Sequence, residues 1–107
     1  MFVPSPNRDL SDHFLAFANP TRLRILERLG KVGEENVGDL AAFLHMSQPR
    51  VSWHVRMLRV GGVIRVRRDG RQVWCSLDVE NIARERARLD ELLEMTEKMK
   101  VRQEVGA

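Results

Sequence analysis

The sequence is poor in the residues that build reactive or covalently cross-linked sites. Its 107 residues include one cysteine, three histidines and no tyrosine. A single cysteine excludes an intrachain disulfide, and we therefore expect a cytoplasmic protein. A P-loop, a glycine-rich dinucleotide turn and a nucleophile elbow are all missing. The sequence therefore predicts a protein that is not an enzyme and has no catalytic residues.

Long apolar runs are also missing. No stretch approaches the roughly 20 apolar residues that cross a bilayer, and the first residues lack the charged and apolar segments of an export signal. We therefore expect no membrane partner. The length fits one domain that covers residues 1–107.

Charge is abundant but unevenly distributed. From Ser47 to Leu77 the chain carries seven arginines against one aspartate, a net charge of +6, whereas the whole chain has a formal net charge of +3. One cationic surface on an otherwise mildly acidic body is typical of a protein that binds a polyanion. A solvated arginine-rich surface without a ligand is the alternative interpretation.

Helix signals dominate the first third of the chain. Three apolar residues recur at helical spacing over about residues 9–18: Leu10, Phe14 and Phe17. Asn19 and Pro20 end that helix and begin the next one, because asparagine caps helices and proline suits the first helical position. The second helix is expected to bury Leu23, Leu26 and Leu29. We expect it to end at Gly30, with residues 31–36 as a polar connector.

A helix-turn-helix motif follows. A short helix is predicted from about Gly38 to His45, with Leu40, Phe43 and Leu44 facing inward. After a tight turn, Ser47 is the expected N-cap of a fourth helix over about residues 48–60. Two helices joined by such a turn are typical of DNA-binding proteins, in which the second is the recognition helix. At about 100° per residue its core face holds Val51, Val55 and Leu58, with His54 nearby.

A hairpin and a long helix complete the predicted fold. The pair Asp69-Gly70 is a strong turn signal and lies in the middle of a hairpin over residues 63–77. Cys75 falls on its inner face as a small buried apolar residue. A last helix is predicted over about residues 79–100. The fold class is mainly α with a small β-hairpin wing, a winged helix-turn-helix in the order α-α-α-α-β-β-α.

Several side chains are suited to contact DNA. Gln48 matches adenine, Ser52 donates or accepts a hydrogen bond, and Trp53 either presses on thymine methyls and sugars or packs under the wing. Arginines of the helix and the wing are expected to contact the DNA backbone, which fixes the register without reading sequence. They are Arg50, Arg56, Arg59, Arg65, Arg67, Arg68 and Arg71.

These motifs resemble the ArsR/SmtB family of bacterial winged helix-turn-helix repressors. The resemblance covers roughly Leu15 to Leu77. It rests on Asn19-Pro20-Thr21-Arg22-Leu23-Arg24-Ile25-Leu26, on Val37-Gly38-Asp39-Leu40-Ala41, on Ser47-Gln48 followed by Val51-Ser52 and His54, and on Asp69-Gly70-Arg71.

The resemblance implies double-stranded DNA and a second copy of the chain as partners. A homodimer formed by the first and last helices would repress from a palindromic operator until an effector releases it. The family's base-contacting positions correspond here to Gln48, Pro49, Ser52 and Trp53, and Pro49 departs from the small hydroxyl residue often found there. The expected dimer interface holds Leu10, Phe14, Phe17, Leu89, Leu92, Leu93 and Met99.

The metal sites of the family are not evident. The residues before Asp39 include no paired cysteines, and no histidine follows His54. The sequence therefore predicts no cofactor and argues against a soft-metal effector. One non-cysteine set remains, a site for nickel or a harder cation formed across the dimer. Its members are Asp9, Asp12, His13, Glu94 and Glu97, for which ordinary surface polarity is the simpler interpretation.

A protein-interaction module is the rival function. Winged helices also serve as docking domains, and Trp53 is suited to anchor such an interface. The centre of a protein interface is usually depleted of charge. The clustered arginines therefore favour DNA over a protein partner.

Overall fold

The computed structural model describes residues 8–106, so residues 1–7 and 107 of the predicted domain lie outside the described part. Five helices and three strands follow one another within residues 8–106. They are α1 (Arg8–Phe17), α2 (Pro20–Val32), β1 (Glu34–Asn36), α3 (Val37–Leu44), α4 (Gln48–Val60), β2 (Ile64–Asp69), β3 (Gln72–Leu77) and α5 (Val79–Gly106).

Side-chain caps fix where three of the helices begin. The side chain of Asn19 accepts a hydrogen bond from the third residue of α2 at 3.1 Å, and Asn36 does the same for α3 at 2.8 Å. Ser47 caps α4 in the same way. Each cap satisfies an amide that the first turn of a helix leaves unpaired. The starts predicted for α2 and α4 are confirmed, and α1 and α3 each begin one residue earlier than predicted.

The segment after α2 differs from the prediction. Helix α2 continues through Gly30 to Val32, and Gly33 caps it with a φ of 84°. Residues 34–36, predicted to be part of a connector, form β1 and pair antiparallel with β3, with Glu35 opposite Cys75. The sheet has the order β1-β3-β2. The predicted element order lacked this first strand.

The hairpin turn lies one residue later than predicted. In the β2–β3 register Asp69 pairs with Gln72, so the two-residue loop is Gly70-Arg71 rather than Asp69-Gly70. Gly70 has a φ of 60°. A positive φ at the first loop position is the conformation of a type II′ turn, which glycine adopts without steric cost.

The core lies between the helices and the inner face of the sheet. Its fully buried side chains come from α1, α2, α3, α4 and the wing, and include Ala16, Ile25, Leu29, Leu40, Val51, Leu58, Val63 and Cys75. The predicted core faces of α4 and β3 are therefore confirmed. The inward positions proposed for Leu23 and Phe43 are wrong, because both side chains are exposed. Ile25 takes the buried position on α2, and the ring of Phe43 packs under the guanidinium of Arg28.

Helix α5 is longer than predicted and exposes most of its apolar side chains. Its 28 residues extend to Gly106 rather than to about residue 100, a length of about 42 Å at 1.5 Å per residue. No helix within residues 8–106 is both long and apolar enough to cross a membrane. Six large apolar side chains of α5 are exposed in the single chain: Val79, Leu92, Leu93, Met95, Met99 and Val101.

A glycine pair joins the end of α4 to both terminal helices. The carbonyl of Gly61 accepts a hydrogen bond from Nδ1 of His13 in α1 at 2.7 Å, and the carbonyl of Gly62 accepts one from Asn81 in α5 at 2.8 Å. A carbonyl only accepts, so Nδ1 of His13 carries a proton. We call residues 61 and 62 with these two side chains the glycine joint.

Gly61→Ala is expected to destabilise the fold. An added Cβ would lie 2.6 Å from the Cβ of Ala16 and 2.8 Å from the carbonyl oxygen of Asp12. Overpacking of this kind costs about 1–3 kcal/mol, measurable as a lower midpoint of urea unfolding.

Gly30→Ala is the matched control. The new Cβ would meet only the end of Leu77 at 3.9 Å, and alanine in a helix interior stabilises by about 0.5–1 kcal/mol relative to glycine. Equal effects of the two substitutions would contradict the close packing at the glycine joint.

Candidate nucleic-acid interface

Helix α4 presents one face to the core and the opposite face to solvent. Val51, His54, Val55 and Leu58 are buried. The exposed residues form a ridge at about 180° from the buried stripe. Pro49, Trp53, Arg56 and Val60 make up this outward ridge. The orientation predicted for the helix is confirmed.

A cationic groove lies between α4 and the inner face of the wing. This open groove has a volume of about 470 Å³. Four uncharged polar residues and four arginines contribute to its lining: Asn36, Gln48, Ser52, Gln72, Arg56, Arg59, Arg68 and Arg71. Within residues 8–106 no carboxylate forms a salt bridge with any of these four arginines. Their charge is therefore available to a ligand.

Two other wing arginines are engaged within the chain. Arg67 donates two hydrogen bonds to the carboxylate of Glu34 on β1, at 2.6 and 2.9 Å, and its guanidinium lies 5.3 Å from the centre of the Trp74 ring. The hydrogen bond from Arg67 lowers the pKa of Glu34. Arg65 pairs with Asp78 at 3.4 Å and with Glu80 at 3.1 Å.

Strand alternation explains the division of the wing arginines. Arg65 and Arg67 lie on one face of β2, whereas Arg68 shares the other face with Val66. Only the second face lines the cationic groove. Arg65 and Arg67, which were predicted to contact the DNA backbone, therefore lie outside the cationic groove.

Trp53 lies on the flank of α4 that faces away from the wing. Together with Arg50 it lines a second open groove, whose other wall is the start of α2 at Asn19 and Thr21. The side chain of Trp53 is 52% exposed. Packing under the wing, one of the two interpretations left open by the sequence, is excluded.

Arg22 is a buried arginine beside Trp53 whose role the sequence did not reveal. Arg22 is only 5% exposed and donates hydrogen bonds to the carbonyls of Ala16 at 2.8 Å and Leu15 at 3.3 Å. It also lies 3.4 Å from Nδ1 of His54 and 5.8 Å from the centre of the Trp53 ring. Arg22 therefore links α1, α2 and α4.

His54 is uncharged in this arrangement. Burial lowers the pKa of His54, and the positive charges of Arg22 and Arg50 lower it further. A guanidinium only donates hydrogen bonds, so Nδ1 of His54 is the acceptor and the proton sits on Nε2. The ring of Trp53 packs edge-on against this imidazole, with centroids 5.0 Å apart.

The structure does not assemble the proposed non-cysteine metal site within one chain. His13 is 2% exposed and binds the carbonyl of Gly61 instead of facing solvent. Asp9, Glu94 and Glu97 are exposed, and residues 8–106 contain no cluster of three or more His, Cys, Asp or Glu side chains able to hold a metal. His13 therefore has a structural partner.

Burial raises the pKa of Cys75 to about 11, which leaves this thiol protonated.

The elements around the cationic groove define a winged helix-turn-helix, with α3 and α4 as the two helices and β2–β3 as the wing. Residues 19–66 match the family model of bacterial regulatory proteins of the arsR family. The chain belongs to this family, as the sequence resemblance predicted.

Known relatives agree with this assignment. A transcriptional repressor SmtB homolog of Synechocystis is 39% identical over 81 residues, which are 73% of this chain and 61% of that protein. The crystal structure of an ArsR family transcriptional regulator is 32% identical and has a TM-score of 0.74, with 89% of this chain and 97% of that chain covered.

One solved relative is described as a dimer. The homodimeric winged helix-turn-helix DNA-binding domain from Mycobacterium bovis, a possible ArsR-family regulator, is 26% identical with a TM-score of 0.65. The match covers 88% of this chain and 91% of that one.

The lowered pKa of His54 predicts that acid weakens the fold. In the unfolded chain this residue binds a proton near pH 6.5, whereas in the folded chain it binds one only at a lower pH. The free energy of unfolding is therefore expected to fall as the pH drops below about 6.5. Once the pH is below the pKa of His54 in the folded chain, this residue causes no further loss. Urea unfolding at pH 7.5 and 5.5 measures the change.

His54→Asn separates this contribution from those of other titrating groups. Asparagine places an acceptor oxygen near the position of Nδ1 but does not titrate. The variant is expected to lose less stability than the wild type between the two pH values. An identical loss in both proteins would show that His54 is not the group responsible.

Proposed function

We propose that the protein is a sequence-specific regulator that binds double-stranded DNA and acts as a homodimeric repressor on a palindromic operator. In this proposal α4 enters the major groove, and the wing, residues 63–77, contacts the adjacent backbone or minor groove. The observation that carries the proposal is the cationic groove between α4 and the wing, with its four arginines free of salt bridges within residues 8–106. A regulator of this kind acts in the cytoplasm, where bacterial DNA lies.

The groove combines the two functions that DNA recognition requires. Arginines without carboxylate partners bind phosphates and release counterions, which supplies affinity for any sequence. Gln48 and Ser52 lie in the first half of α4, the part of a recognition helix that contacts base edges. Glutamine pairs with adenine through two hydrogen bonds, and serine donates or accepts one. Affinity and sequence preference therefore have separate sources on one surface.

A homodimer accounts for the apolar side chains that one chain leaves exposed. Phe14 on α1 and Leu92, Leu93 and Met99 on α5 face solvent, and Phe17 and Leu89 are half-buried. We propose these six as the interface, which the dimeric relative from Mycobacterium bovis supports. Leu10 is removed from the expected set because it is already buried within the single chain.

DNA binding is expected to weaken steeply with salt. Eight groove arginines in a dimer, at about 0.9 per neutralised phosphate, give a slope of log K against log salt near −7. Selection from a random duplex library, followed by anisotropy titrations of a selected site at several salt concentrations, measures both specificity and slope. Failure to enrich any sequence, or a slope near zero, would instead favour a protein-interaction module.

Arg71→Ala and Arg67→Ala are expected to differ although both remove a wing arginine. Loss of Arg71 takes two phosphate contacts from the dimer and is expected to reduce the slope by about 1.8. Loss of Arg67 breaks its pair with Glu34 on the other face of the sheet and is expected to leave the slope nearly unchanged. The same anisotropy titrations on both variants check this, and equal slopes would contradict the division of the two faces.

A further inference from the structure

The first half of the outward ridge of α4 is apolar. Pro49 and Trp53 lie four residues apart, so they are neighbours on the same face of the helix. Gln48 and Ser52 lie on the side toward the wing, and Arg50 lies on the side toward α2. Pro49 and Trp53 also line the open groove that Arg50 shares with the start of α2, so the exposed apolar surface here is a proline ring and an indole.

The indole is held in place although half of it is exposed. Its ring packs edge-on against His54 at 5.0 Å and lies 5.8 Å from the guanidinium of Arg22. Both partners are buried, and Arg22 is itself fixed by the carbonyls of Leu15 and Ala16. An aromatic side chain fixed before binding loses little conformational entropy when it meets a ligand.

An exposed aromatic surface has one specific partner among the base edges of the major groove. Guanine, adenine and unmodified cytosine present hydrogen-bonding groups there, whereas thymine also presents a methyl group on C5. Proline has no side-chain donor, and the indole has a single donor and no acceptor. This ridge is therefore unsuited to hydrogen-bond readout and suited to apolar contact.

We propose that Trp53, supported by Pro49, is a specificity-determining residue that recognises the C5 methyl group of thymine in each operator half-site. This proposal rests on the proposed DNA-binding function and specifies which base that function reads. It assigns apolar readout to the outward ridge and hydrogen-bond readout to Gln48 and Ser52.

Replacement of thymine by deoxyuridine tests the proposal, because it removes the methyl group and keeps the base pair. A duplex site obtained from the random library is synthesised with each thymine replaced in turn, symmetrically in both half-sites. Binding of the full-length chain is measured by anisotropy. We expect one thymine position per half-site at which uracil lowers the affinity about fourfold for each methyl removed, the effect of exposing one buried methyl group.

Variants assign the effect to a side chain. In Trp53→Ser the affinities for thymine and uracil at that position are expected to become equal, and Trp53→Phe is expected to retain part of the difference. Val60→Ala is the matched control, because Val60 lies on the same ridge at the C-terminal end of α4. It is expected to keep the full thymine preference. Circular dichroism confirms that each variant is folded.

The outcomes separate this proposal from the DNA-binding function. If the wild type binds its selected site but is indifferent to uracil at every position, thymine readout is wrong and DNA binding stands. A thymine preference that persists in Trp53→Ser assigns the methyl contact to another residue and also overturns the proposal. If no sequence is enriched, both proposals fail together.

Discussion

The buried guanidinium of Arg22 is the interaction on which the geometry of the DNA-facing surface depends. An α-helix cannot pair the carbonyls of its own last turn, and Arg22 binds two of them at the end of α1, those of Leu15 and Ala16. The same group contacts His54 and lies near Trp53 on α4. Because hydrogen bonds to a charged donor contribute about 1.5–3 kcal/mol each, one side chain stabilises the end of α1 and connects it to α4.

The sheet decides which arginines of the wing face the cationic groove. A run of arginines along β2 does not produce a uniformly cationic strand, because successive side chains point to opposite faces. Arg67 points toward Glu34 and is neutralised there, whereas Arg68 lines the groove beside α4. Strand alternation already places Arg67 and Arg68 on different faces, but the sequence could not predict that Arg67 pairs with Glu34. The partner of Arg67 lies on β1, a three-residue strand that has no alternating apolar pattern and exists through its pairing with β3.

Sequence reasoning succeeded where local energetics decide the structure. Asn19 and Ser47 fixed the starts of α2 and α4 because a cap acts within one turn of its helix. The core face of α4 followed from its phase. Arg22 was missed because charged side chains are almost never fully buried and its partners are chiefly backbone carbonyls, which every residue has. The phase of α4 placed Trp53 opposite the core, but the packing of its ring beside His54 and Arg22 was beyond reach of the pattern.

The glycine joint connects the proposed dimer helices to the proposed recognition helix. His13 of α1 and Asn81 of α5 bind the two carbonyls that follow α4, and an added Cβ at either glycine would meet α1 or α5. If α1 and α5 form the homodimer interface, the end of α4 is fixed to that interface without a flexible linker. Two recognition helices that read half-sites one helical turn apart must be separated by about 34–36 Å. In such a dimer this separation follows from how the two chains pack, because the glycine joint holds the end of α4 against α1 and α5 of its own chain.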